Sequence, residues 1–271
     1  MSAEGFVVEA SDVGPRMRRV VFDVPRLHDL ELPGAGDEAV GVYFPSAGDA
    51  ADGRNYSVRY RGPGANRITC DFLLHQRGVA SDWARRAEVG DRVVLDHARS
   101  WYRPEDTTRW QLLVADLSGL PALARILEEL PDGTDATVIV EVTEKSDLAY
   151  LPTRAGVSMV STVGTGNGYA PGELANLVRR HAHRDGRGYC WFAGEAGTTR
   201  EVRKHLRRER GWDSEQYDVV GYWRFDSEVW DRRYEAVGDE MLAVYERALA
   251  EGKGAKIAAE EYDEALERVG L

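Results

Sequence analysis

The sequence predicts two domains and a tail: an N-terminal antiparallel β-barrel, an α/β domain on a parallel sheet, and a helical C-terminal extension. Three observations predict this. Residues 1–105 hold short β-rich runs separated by Gly and Pro. Residues 106–227 alternate apolar strands with helical stripes. Residues 228–271 are helical in pattern, interrupted only at Gly252–Gly254. A length of 271 residues suits two ordinary domains.

In the first domain, the run 20–24 is closed by Pro25 and the run 39–44 by Pro45. Residues 54–60 alternate as a strand, with Arg54, Tyr56 and Val58 on one face and Ser57 and Arg59 on the other. A turn at Gly62, Pro63 and Gly64 leads into 67–75, its expected hairpin partner. Residues 90–96 form a further strand, and a helix near 81–87 interrupts the series. In the second domain, strands fall at 110–115, 137–142, 157–163, 188–193 and 219–223. Helices fall at 120–130, where Leu123, Ile126, Leu127 and Leu130 share a stripe, and at 171–183 and 198–210. Such alternation implies a parallel sheet covered on both faces, with its sites at the carboxyl ends of the strands. In the tail, Met241, Leu242 and Tyr245 make an apolar stripe, and 256–269 reads as a second short helix.

Composition narrows the function. The chain is 43% hydrophobic and 30% charged, with no apolar run long enough to span a bilayer. No basic segment followed by an apolar core opens it, so no secretory signal is expected and the expected compartment is the cytoplasm. Cys70 and Cys190 are the only cysteines and form no C-x-x-C, so no metal centre is predicted. A net charge of -11 argues against nucleic acid as the main partner, while leaving room for a local basic cleft. A monomer is expected.

Three stretches carry chemistry. In Arg54-Asn55-Tyr56-Ser57-Val58-Arg59 a guanidinium fork suited to pyrophosphate stands two residues from a flat amphipathic ring and beside a small hydroxyl. In the second, the strand end from Asp71 and Phe72 to His75 passes through Gly78 into a helix opening Val79-Ala80-Ser81-Asp82-Trp83. The first N–H groups of a helix lack partners and favour phosphate, although Ser81 could equally cap its own helix. The third pairs Trp191-Phe192-Ala193-Gly194-Glu195 with Gly221-Tyr222-Trp223-Arg224 downstream.

With Ala115-Asp116-Leu117-Ser118-Gly119-Leu120-Pro121-Ala122 between them, these motifs occur in the order and spacing of the siderophore-interacting protein family, and the chain resembles its FAD-containing ferric-siderophore reductases. These are similar to ferredoxin–NADP reductases in plan. The resemblance implies electron flow from NAD(P)H through FAD to a ferric siderophore, with release of Fe(II). It implies that Arg54, Tyr56, Ser57 and Arg59 hold the flavin and its phosphates. It places Asp71, Phe72, His75, Val79, Ala80, Ser81 and Trp83 along the pyrophosphate and ribose. Tyr222, Trp223 and Arg224 would close the flavin edge. Asp116 and Ser118 would stand where the nicotinamide approaches, with Gly194 and Glu195 in the dinucleotide cleft, and Ser57, Asp116 and Ser118 nearest the chemistry. Arg224, Lys253 and Lys256 would meet the anionic siderophore. Leu117 stands where the family pattern has an acidic residue, so ferredoxin is an alternative donor. A reductase for another acceptor and a siderophore-binding protein without turnover are the other readings.

The remaining signals are weaker. Gly164-Thr165-Gly166-Asn167-Gly168 does not meet G-x-G-x-x-G and reads as a loop over the adenosine end of NAD(P)H. Arg154, Arg179 and Arg180 are candidates for a 2′-phosphate. His181 and His183 read as solvated, and His28, His97 and His205 show no partner in sequence. The run 203–210 reads as an exposed basic face or a docking patch for an acidic donor protein.

Overall fold

The computed structural model describes residues 2–45, 53–62, 64, 66–75 and 78–271; the turn residue Pro63 lies outside them. Six strands close a barrel in the order β1 (Ala3–Asp12), β2 (Met17–Asp23), β5 (Arg67–Leu73), β4 (Gly53–Arg61), β3 (Ala39–Tyr43), β6 (Arg92–Arg99). Every pairing is antiparallel. Closure removes the sheet edges that would otherwise template aggregation. Alternate residues point inward: Val20 and Phe22, Val40 and Val42, Ile68, Cys70 and Phe72, Val93 and Leu95 are buried together. β1 is the strand the sequence reading missed; exposed Glu9 falls on its inward phase, at a register shift between Val7 and Glu9. Helix α1 (Val79–Arg86) lays Trp83 and Ala84 on this core.

The second domain is a parallel five-stranded sheet in the order β11 (Tyr217–Trp223), β10 (Gly188–Glu195), β7 (Trp110–Ala115), β8 (Ala136–Val142), β9 (Val157–Val163). Helix α2 (Leu120–Glu129) buries Leu120, Leu123, Ile126 and Leu127 on one face. Helices α3 (Leu174–Arg180) and α4 (Ala196–Lys204) cover the other. Coverage of both faces fails at the edge. A 3₁₀ segment, Lys145–Tyr150, replaces a helix between β8 and β9, and Met159, Val160 and Val163 stay exposed.

The tail folds as α5 (Ser227–Tyr234), α6 (Gly238–Ala250) and α7 (Gly254–Arg268), around Met241, Ala265 and Leu266. The acidic face of α7 lies on α4 and the π-helical turn His205–Glu209 that continues it. Asp263 pairs with Arg200 and Arg203, Glu267 with Lys204, and Glu264 with Arg207 and Arg208. Most of the basic run is therefore paired with the chain's own acids, while Arg207 and Arg208 stay largely exposed.

Two adjacent acids join the domains. Asp37 accepts hydrogen bonds from Ser100 Oγ at 2.7 Å and from Trp191 Nε1 of β10 at 2.9 Å. Glu38 meets Arg125 of α2 at 2.7 Å and Arg61 of β4 at 2.5 Å. This seam fixes the carboxyl ends of β7, β10 and β11 against the flank of the barrel.

Candidate functional site

A groove of about 630 Å³ runs between barrel and sheet. Its barrel wall carries Arg54, Tyr56 and Ser57 from β4, with Asp71 and His75 at and beyond the end of β5. Val79, Ala80 and Ser81 of α1 form its end, and Ser118, Tyr222, Trp223 and Arg224 the sheet side. Strand β4 slips register against β5 between Val58 and Tyr60, and Tyr56 and Ser57 just before the slip both line the groove. The Tyr56 ring rests on Phe72 at 4.2 Å between centroids and meets Phe44 edge-on, so it is held before any ligand arrives. Burial pushes its hydroxyl well above the usual tyrosine range.

Gly78 opens α1 with φ +129, a value that suits glycine, and no side chain caps the helix. The Ser81 hydroxyl is not the cap: it accepts from His75 N at 3.0 Å and so fastens the end of β5 to the helix. That leaves the backbone N–H groups at the start of α1, rather than that hydroxyl, as the donors open to a ligand at this end. Burial, and then the nearby Arg85, hold the His75 imidazole below its ordinary value.

Several assigned residues lie elsewhere. Arg59 is buried and forms a two-pronged pair with Glu128 of α2, both bonds 2.6 Å, so it belongs to the domain seam. Phe72 is fully buried, and Trp83 stacks on Phe22 at 6.1 Å; both support the groove from beneath. Lys256 donates to the carbonyls of Ser214 and Tyr217 and meets Asp218 at 3.0 Å, at the amino end of β11. Lys253 pairs with Glu251 and Glu261. Neither lysine lines the groove: Lys256 ties the tail to the sheet domain, and Lys253 pairs within the tail. Arg154 is tied to Leu130 O and Asp132, and Arg179 to Glu201. His181 and His183 are not solvated: their rings pack with Trp110, His205 and Trp212.

Beside the groove lies a second cleft of about 420 Å³, at the carboxyl ends of β7, β8 and β10. Asp116, Glu141 and Glu195 line it, with Trp223 shared between cleft and groove. Asp116 is buried and accepts from Ser118 N at 2.8 Å, Ser118 Oγ at 2.5 Å and Trp223 Nε1 at 2.6 Å. Burial raises its carboxyl above the ordinary value, against these bonds. Gly194 packs on it, since a Cβ there would stand 2.9 Å from Oδ2. Glu195 caps α4 through Thr198 N at 2.9 Å. Leu117, the departure from the acidic pattern, is buried in the sheet core and gives its N–H to Asn167 Oδ1 at 3.0 Å. The loop 164–173 wraps Glu141, which accepts from Thr165 Oγ1 and Glu173 N. Sequence reasoning missed Glu141, Asn167, Tyr43, His97 and Arg99; only the clustered glycines around Asn167 pointed at any of them.

Residues 108–226 match the family model for siderophore-interacting protein, and residues 50–99 match that for the siderophore-interacting FAD-binding domain. The chain belongs to the siderophore-interacting protein family. A solved siderophore-interacting protein from Acinetobacter baumannii shares the fold, with a TM-score of 0.76 over 89% of this chain and 99% of that one at 23% identity. The NADPH-dependent ferric-chelate reductase of Escherichia coli is 27% identical over 68% of this chain and 70% of its own length. A Mycobacterium tuberculosis relative is 31% identical over 63% of this chain, which spans 64% of that relative's length.

The residues present fit the FAD that this family's domain binds. Tyr56 offers a ring face and Arg54 an exposed guanidinium, and the opening of α1 offers free N–H groups. The Tyr222 hydroxyl is buried beside Ser57 without a well-formed hydrogen bond among the described residues, a polar atom left for a ligand to satisfy.

Proposed function

We propose that this member of the siderophore-interacting protein family is an FAD-dependent ferric-siderophore reductase that draws on NAD(P)H. The observation that carries the reading is the groove, where Tyr56, Ser57 and the opening of α1 face Ser118 and Tyr222 across the domain boundary. FAD, when bound, takes up two electrons together and gives them out singly, the conversion that NAD(P)H and Fe(III) require. The chain holds and orients: Arg54 and the N–H groups of Val79 to Ser81 for the phosphates, Tyr56 and Tyr222 for the ring system. Trp223, fixed by Asp116, walls both groove and cleft, so a donor in the cleft stands beside the flavin seat. Siderophore oxygens are hard ligands that prefer Fe(III), so reduction loosens the iron. The name of the Escherichia coli relative supports a ferric chelate as acceptor and NADPH as donor.

One observation bears on the donor. Every charged side chain lining the second cleft is acidic, which suits the phosphates of a dinucleotide poorly. A reduced ferredoxin is the alternative. The purified protein should be yellow, bleach under anaerobic NADPH, and recover its colour on a ferric siderophore while ferrozine traps Fe(II). Bleaching by reduced ferredoxin alone moves the reading to the donor protein. A colourless protein that FAD does not colour ends it.

A further inference from the structure

The sheet of the second domain has two edges, and the chain treats them differently. On β11 the outer carbonyls are taken: Tyr217 O accepts from Lys256 of α7, and Val219 O from Arg203 of α4 at 3.3 Å. The barrel is closed and has no edge. That leaves β9, which pairs with β8 on one side only, as the uncovered sheet edge among the described residues.

An uncovered edge presents a row of unpaired N–H and C=O groups, and soluble proteins blunt such rows with charges, proline or a bulge. β9 has none of these. Its sequence Val157-Ser158-Met159-Val160-Ser161-Thr162-Val163 holds no charged residue and no proline. It runs beside β8 for seven consecutive pairs without a register shift. Met159 and Val163 are exposed on one face of the strand and Val160 on the other.

The strand also mirrors itself. Outward from Val160, Met159 answers Ser161, Ser158 answers Thr162, and Val157 answers Val163. A second copy turned about a two-fold axis at Val160 therefore sets Val157 against Val163, hydroxyl against hydroxyl at Ser158 and Thr162, and Val160 against itself. Apolar and hydroxyl pairs of this kind stabilise antiparallel strands. In a chain of net charge -11 two copies repel over most of their surface, but along this strand neither meets a like charge.

We propose that β9 is a self-association surface whose partner is a second copy of this chain, joined antiparallel, β9 to β9, so that two five-stranded sheets become one. The pairing is isologous and closes at a dimer. Seven residues give about 23 Å of edge, less than a standard interface needs, so the dimer is transient and grows in with concentration. The monomer expected from the sequence is then the dilute form. The pairing stands whether or not the chain is a reductase, and the flavin spectrum of the same preparation reports on that separately.

Sedimentation velocity on the FAD-supplemented full chain, from about 5 to about 500 µM, should show monomer passing into dimer. Val160→Lys sets two ammonium groups face to face on the axis and should raise the dissociation constant about tenfold or more, while Val160→Thr should keep it within about twofold. Thermal melting shows that the exposed substitution leaves the fold intact. Introduced cysteines read the register, since the native Cys70 and Cys190 are buried. Under mild oxidation Val160→Cys should cross-link to itself, as should Ser158→Cys mixed with Thr162→Cys. Ser158→Cys alone should not, because its two copies stand about 13 Å apart, beyond disulfide reach. A monomer at every concentration overturns the proposal and leaves the edge to a strand of another protein. A dimer that Val160→Lys leaves intact, or one that Ser158→Cys cross-links as readily as Val160→Cys, overturns it as well.

Discussion

At the scale of single residues, Asp116 decides more than its position in a motif suggests. Three donors converge on its carboxylate, one of them the Trp223 indole that walls both cavities. Asp116→Asn keeps the shape but turns an N–H₂ towards one of those donors. The lost bond and the unsatisfied buried donor cost about 1–3 kcal/mol. The expected outcome is a lower melting temperature together with a raised KM for the electron donor, as the Trp223 wall loosens. Thermal unfolding and donor titration check it, and a variant with wild-type values in both would show that Asp116 does not hold Trp223. Asp116 and Tyr56 were legible because they stand in the short motifs that carry the family resemblance, although their partners Trp223 and Phe72 lie far off in sequence. Lys256 was not, because its partner Asp218 is chosen by how the tail docks, which no local pattern states.

At the scale of elements, periodicity placed all but one of the strands, while the ends of helices were decided by contacts. The helix expected from residue 171 begins at Leu174, because Gly166 and Gly168 with positive φ wrap the preceding loop around Glu141. The helix expected to Arg210 widens into a π turn that presents His205 to the end of α3. There His181, His183 and His205 pack with Trp110 and Trp212, and ring nitrogens of all three histidines lack partners among the described residues. Glu209 takes His205 Nδ1 at 2.7 Å, and Arg210 stands near His183. Burial first, then Arg210 and the other two imidazoles, push His183 from 6.5 down to about 4. A histidine with a lowered folded value binds its proton more readily when unfolded. Its contribution to stability is therefore complete above pH 6.5 and is lost as pH falls towards 4. The ring is only partly buried, so the loss is on the order of 1 kcal/mol after screening. His183→Gln should flatten the fall in unfolding free energy between pH 6.5 and 4 by that amount. An unchanged pH profile would mean that the imidazole stays solvated enough to titrate normally.

At the scale of the whole molecule, the flavin seat exists only while the two domains hold their relative position, and that position rests on the loop holding Asp37 and Glu38. In sequence this loop is an acidic, glycine-rich connector like many others, so the seam was not legible; its partners Trp191 and Arg125 lie 154 and 87 residues away. Burial alone would raise the Glu38 carboxyl, but Arg61 and Arg125 overcome it and hold the group below its ordinary 4.5. A carboxyl lowered in this way stabilises the fold fully above pH 4.5, and the contribution fades as acid protonates it. Glu38→Gln removes the charge while Arg125 stays buried. Removing one partner of a buried pair costs about 3 kcal/mol, less to the extent that Arg125 keeps Glu129, whereas the pair itself gives little over an apolar filling. Denaturant unfolding of Glu38→Gln should show that loss, and FAD should leave the protein at a lower denaturant concentration than it leaves the wild type. Glu128→Gln strips the buried Arg59 of its carboxylate and should cost a comparable amount. If neither variant loses more than about 1 kcal/mol, the domains are held by apolar packing of α2 on the barrel rather than by the buried charges of the seam.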